Sequence, residues 1–181
     1  RHNGRDEPVE LVYSNRMSAL LGQFAPDAGE SLRLAVHAQH LCRWRLPRAE
    51  LPSGRSGYLE WRRRCGEMHA DLAGAVMREG GYPDPMILEV GRLLRKEGLR
   101  TDPQAQTLED VACLVFLENY AEEFLSGRDE DSVERILRRT WRKMSARARA
   151  ASMELPLPAA VSTLAACLLA EDGVLEGERK G

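Results

Sequence analysis

The run VACLVFL, Val111 to Leu117, lies inside LEDVACLVFLENYAEEF and is apolar on every side. Thr101-Asp102-Pro103 upstream is a helix start, with Asp102 as cap and Pro103 at the first helical position. Gly127 is the downstream stop. A helix that is apolar all round belongs in the centre of a packed domain. The spacing therefore predicts a long buried helix from Pro103 to Gly127, with the remaining elements packed around it.

Working outward, helical periodicity recurs and nothing alternates with period two for long enough to build a sheet. Helices are predicted from Val9 to Phe24, from near Gly29 through Leu41, and from Tyr58 to about Arg78. Others follow from Pro83-Asp84-Pro85 to Gly98, from Asp129 to Ser145, and in shorter pieces around 146–153 and 158–171. Pro47, Pro52, Ser53-Gly54 and Ser56-Gly57 enforce a loop of about a dozen residues, and loops of that length are usually functional. The fold class is all-α. The expected architecture is one domain over residues 1–171, a bundle of seven or eight helices, with a flexible tail over 172–181.

Composition agrees with a soluble globular protein: of 181 residues, 43% are hydrophobic and 30% charged. Neither VACLVFL nor LAACLLA (164–170) approaches the roughly 18–20 apolar residues that span a bilayer. No signal-peptide pattern follows Arg1, so no leader is expected. Cys42, Cys65, Cys113 and Cys167 form no CxxC pair and sit in helical patterns, which reads as reduced, mostly buried thiols of a cytoplasmic protein. A net charge of −2 gives no global nucleic-acid signature, yet of 26 basic residues only Lys96, Lys143 and Lys180 are lysines. Arginine suits planar, bidentate recognition of phosphate or carboxylate.

Chemistry-bearing residues concentrate in AVHAQHLCRWRLPR (35–48). His37 and His40, three apart on a predicted helix, share a face. His69 lies on the next helix, and Glu109-Asp110 enters the most apolar stretch, where carboxylates need a partner, a cap or a metal. Asp110 alternatively forms a capping box with Thr107. Converging, His40, His69 and Glu109 or Asp110 would suit Zn²⁺, Fe²⁺ or Mn²⁺ and leave a position for water, whose pKa the metal lowers. Seven arginines fall between Arg43 and Arg64, and RILRRTWRKMSARAR (135–149) carries seven basic residues and no acid. Phosphate fits such surroundings. Trp44, Tyr58 and Trp61 flank the Pro/Gly loop, either packed or stacked on a base or an arginine. There is no GxSxG elbow, no Walker loop and no GxGxxG.

The segments AQHLCRWRLPR, LPSGRSGYLEWR, QTLEDVACLVFLE and TWRKMS resemble a bacterial and fungal family catalogued as domain of unknown function 4202. Some of its members carry the label glutamyl-tRNA synthetase. The resemblance runs from Glu10 to Ser145. This chain is short and helical and lacks the α/β core that aminoacylation of that class uses. The layout is also similar, distantly, to the HD superfamily of metal-dependent phosphohydrolases. That likeness implies His40 and His69 as histidine ligands and Asp110 as the distal aspartate, although His69-Ala70 stands where that superfamily has His-Asp. Glu109 would supply the missing carboxylate or act as base.

The expected function is thus metal-dependent hydrolysis of a phosphorylated small molecule or nucleotide. His40, His69, Asp110 and Glu109 would hold the ion. Arg43, Arg48, Arg55, Arg62 and Lys143 would hold phosphate, and His37 would be a neighbour. One alternative is a non-catalytic phosphate- or RNA-binding helical module with structural histidines. A di-iron oxygen site ranks last, because its ExxH pairs are missing.

Overall fold

The computed structural model describes residues 7–99 and 101–178, with side chains as far as Gly173. Among these are nine α-helices, two 3-10 turns and no strand, so the all-α class holds. No helix of the described residues is long and apolar enough to cross a membrane. The described residues gather into two compact units divided between Leu108 and Glu109.

The first unit contains α1 (Val9–Phe24), α2 (Glu30–Ala38), 3-10 turns at Arg43–Arg45 and Arg48–Glu50, α3 (Gly54–Glu79) and α4 (Asp84–Leu94). The first turns of α5 (Pro103–Asn119) also belong to it. Helix α1 packs on α2, α2 on α4, and α4 on α3. Met17, Leu32, Ala35, Val36, Val90 and Leu93 lie at its centre, each at most 3% exposed. Helix α3 meets α4 through a stripe of small residues, Gly66, Ala70, Ala73 and Gly74, that lets the two backbones approach closely. A Cβ at Gly66 would stand 3.0 Å from the carbonyl oxygen of Leu94, and one at Gly74 would stand 3.3 Å from Cγ2 of Ile87.

The second unit takes the rest of α5, then α6 (Ala121–Leu125), α7 (Glu130–Trp141), α8 (Ala146–Ser152) and α9 (Ala159–Glu178). Val111, Leu114, Val115 and Leu117 are 0–2% exposed, which is the burial expected of VACLVFL. Helices α7 and α8 pack on α9. Two acids of α9 serve the basic segment. Arg138 donates to both carboxylate oxygens of Glu171 at 2.7 and 3.0 Å, and Asp172 accepts from Trp141 Nε1 and Arg149 at 2.8 Å each.

Three boundaries differ from the expected ones. The helix predicted to reach Gly127 breaks at Tyr120, whose φ of −129° leaves the helical region, and this break makes α6 a separate element. Helix α7 ends at Trp141, because Ser145 is needed as the N-cap of α8, where its side chain accepts from the Ala148 amide. Helix α2 ends at Ala38, with consequences for the site below. Of the residues expected to form a tail, 172–178 continue α9, and 179–181 lie outside the described residues. All four cysteines are free, with Cys65 and Cys113 buried, Cys42 partly buried and Cys167 exposed.

Candidate functional site

The early end of α2 separates the two histidines of the HxxH pair. His37 stays on the helix, exposed, its Nδ1 3.1 Å from the Ser18 hydroxyl. His40 falls in the turn beyond Gln39, which leads to Cys42 in the left-handed region at φ 53°. That turn swings His40 away from the α2 face and lays its ring flat on Tyr13, with centroids 3.6 Å apart and planes 11° from parallel. The Tyr13 hydroxyl donates to Oε1 of Gln39 at 3.0 Å.

His69 approaches from α3 and is 4% exposed. Its ring lies 6.4 Å from that of His40, tilted by 43°. Arg43 donates to Nε2 of His40, and its guanidinium lies 4.5 Å from the centroid of the Trp61 ring. In a neutral imidazole an Nε2 that accepts leaves the proton on Nδ1. Two buried nitrogens in this cluster have no hydrogen-bond partner, Nε2 of Gln39 and Nε2 of His69. Leaving such a group unsatisfied costs about 1–3 kcal/mol.

The electrostatics are cationic. Burial, then Arg43, His69 and Lys96, hold the His40 imidazole down to about 2. Burial, then Arg43 and Lys96, hold that of His69 down to about 4. Both rings are therefore neutral at pH 7. Lys96 stands in the turn that closes α4, left-handed at φ 58°. Tyr13, Gln39 and Lys96 were not singled out from the sequence. Lys96 carried one weak signal, as one of only three lysines.

The Pro/Gly loop is built by Arg48. Its guanidinium donates to the carbonyls of Leu51 and Pro52 at 2.9 Å each and reaches that of Gly54 at 3.5 Å. The indole of Trp61 donates to the carbonyl of Leu46 at 2.9 Å, pinning the loop to α3. Arg48, expected to hold phosphate, is thus a clip on its own loop. Arg55 is exposed, and the guanidinium of Arg62 lies 6.0 Å from the Tyr58 ring centroid. Gly57 lets Pro52 come close, since a Cβ there would stand 1.9 Å from the Pro52 carbonyl oxygen. Gly57→Ala is expected to destabilise the protein by about 2 kcal/mol, read as a lower urea midpoint. Gly22→Ala, in α1 with nothing within 4 Å of the new methyl, should raise that midpoint slightly.

Glu109, Asp110 and Lys143 belong to the second unit. Both carboxylates are 2% exposed and both are engaged. Asp110 accepts from the Ser145 amide at 2.8 Å and from the Ser145 hydroxyl at 2.6 Å. Lys143 lies 3.7 Å from Glu109. The capping box with Thr107 does not form: Thr107 donates to the Pro103 carbonyl at 2.8 Å, and Asp102 accepts from the Gln104 amide at 2.7 Å. Asp110 instead secures the start of α8 from 35 residues away.

The structure thus brings His40, His69 and Arg43 together in one unit and Glu109, Asp110 and Lys143 together in the other. Among the described residues no group of three His, Cys, Asp or Glu side chains is assembled to hold a metal ion. A divalent cation on the two imidazoles would meet the field of Arg43 and Lys96, and Nε2 of His40 already accepts from Arg43. Nε2 of His69 is open. On α7, a hollow of about 350 Å³ is lined by Asp131, Glu134, Arg135, Arg138, Arg139 and Arg142. Its acids offset part of the basic run.

The family model described as a domain of unknown function, DUF4202, matches residues 1–165 of the chain. No curated protein and no solved structure matches it.

Proposed function

The chain belongs to the DUF4202 family, and we propose that its first unit is a binding module for a phosphate-bearing small molecule. The observation that carries this reading is the pair of buried, unpartnered nitrogens on Gln39 and His69, set in the field of Arg43 and Lys96. An amide N–H₂ is a donor without an acceptor, and a neutral imidazole protonated on Nε2 is another. Phosphate oxygens satisfy both and offset the two cations. Arg43 is the main anchor, held over Trp61. Calorimetric titration with inorganic phosphate and a panel of sugar phosphates and nucleotides tests it. Arg43→Gln should weaken binding about tenfold, or about 1.4 kcal/mol, while His37→Gln, on the exposed face of α2, should leave it unchanged. No heat of binding across the panel up to ~10 mM ligand, where affinity is weaker than about 3 kcal/mol, defeats the reading.

A second reading, metal-dependent hydrolysis at the same histidines, draws on the open Nε2 of His69, the lone pair a divalent ion uses. It requires stoichiometric transition metal in the purified protein, lost in His69→Gln, together with phosphate release from the same panel. Phosphate binding by metal-free protein, with no turnover, favours the binding module.

A further inference from the structure

Outside the buried cluster, the loop and the start of α3 expose aromatic faces beside arginines. Trp44 is 58% exposed, at the centre of the 3-10 turn Arg43–Arg45, and Tyr58 is 41% exposed. Large aromatics are normally drawn inward, and Trp61 in the same segment is, at 8%. Trp61 acts as the hub: Arg43 covers its ring, Leu46 accepts from its indole, and Tyr58 lies 6.0 Å from it at 39°. Trp44 is carried between two of those contacts and Tyr58 forms the third, so both exposed rings are mounted on one fixed point. Their backbone is held as well, because Arg48 clips the loop and Gly57 closes it on Pro52. Arg45 and Arg55 are exposed beside the two rings, and Arg62 leans over Tyr58. Farther along α3 the basic residues are neutralised: Arg63 and Arg64 pair with Glu60, and Arg63 also with Glu67. The positive charge of this segment is therefore concentrated at its aromatic end.

We propose that this surface, Trp44 and Tyr58 with Arg45, Arg55 and Arg62, is a stacking platform for single-stranded nucleic acid. Aromatic faces accept any unstacked base, and arginines beside them take the backbone phosphates, a pairing that tolerates sequence. An acidic peptide would use the arginines and leave the two flat rings without a partner. Duplex is excluded by the same logic, because its bases are already stacked. The platform is separate from the buried phosphate site and does not rest on it.

Fluorescence anisotropy with labelled oligo(U) and oligo(dT) of about 12 nucleotides tests the proposal. Binding is expected to be equal within a few fold for the two strands and weaker for a duplex. With three phosphates engaged, the logarithm of affinity should fall with the logarithm of salt at a slope of about −2. Trp44→Ala should weaken binding roughly tenfold at every salt concentration. The double variant Arg45→Gln/Arg55→Gln should weaken it and flatten the salt slope, and Arg139→Gln on α7 should change neither. All substitutions are at exposed positions, and unchanged thermal melts confirm that each variant folds. Absence of oligonucleotide binding at low salt overturns the proposal. So does binding that Trp44→Ala leaves intact, or that poly-glutamate matches, since either result describes an unspecific basic patch.

Discussion

Acidifying the protein from pH 7 to pH 5 is expected to remove about 3 kcal/mol of stability through His40 and His69 alone. Each imidazole titrates near 6.5 when unfolded but is held at about 2 or about 4 in the fold, by burial first and by Arg43 and Lys96 after it. Between those values the unfolded chain binds more protons than the folded one, so stability rises with pH. The contribution is complete above about 6.5 and is lost as the pH falls toward 4. A fully buried ring would contribute about 2 kcal/mol over this interval, and the partial exposure of His40 trims its share. Urea unfolding at pH 7, 6 and 5 measures the effect against His40→Gln/His69→Gln, which retains every carboxylate titration and should lose the histidine part of the slope. Equal slopes for the two proteins would show that the rings are not held neutral. Saturating phosphate should shrink the wild-type loss, because an anion beside Arg43 and Lys96 relieves the field that keeps the rings uncharged.

Asp110→Ala is expected to cost about 3 kcal/mol, from two hydrogen bonds to a charged acceptor and the start of α8 that they fix. Both Ser145 donors lose their acceptor in a position that is 2% exposed. For a chain of this size the loss lowers Tm by roughly 6–12 °C. Asp110→Asn keeps one oxygen acceptor and should recover about half. The same variants separate a cap from a metal ligand. A structural carboxylate gives this loss with or without a chelator, whereas a ligand gives it only in metal-loaded protein. A change below about 0.5 kcal/mol, the range of ordinary surface substitutions, would deny Asp110 its structural role.

Much of the fold was legible in the chain. The burial of VACLVFL, the span of α1, and the Asp102-Pro103 start of α5 all follow from local pattern and capping chemistry. Such features depend on neighbours within a few residues, which the sequence displays directly. Less legible were the ends of α2, α5 and α7. Each gives way to a contact made elsewhere: His40 turns onto Tyr13, and Ser145 leaves α7 to cap α8 against Asp110. A run of apolar or basic residues carries no trace of such distant partners.

The candidate site divides along the same line. Composition and spacing marked His40, His69 and Arg43 as a group, and they do meet. The sequence also marked Glu109 and Asp110 as carboxylates in need of partners, as they are. It did not show that those partners are Lys143 and Ser145, or that Arg48 serves carbonyls of its own loop. Nor did it show that Glu171 and Asp172 answer the basic run of α7 and α8.

The sequence by itself determined the helical class, the buried centre of α5 and which side chains are chemically capable. Only the tertiary structure decided which of them are already satisfied. Hydrogen bonds and field strengths depend on distances across the fold, and those place two buried nitrogens, on Gln39 and His69, without a partner beside two cations.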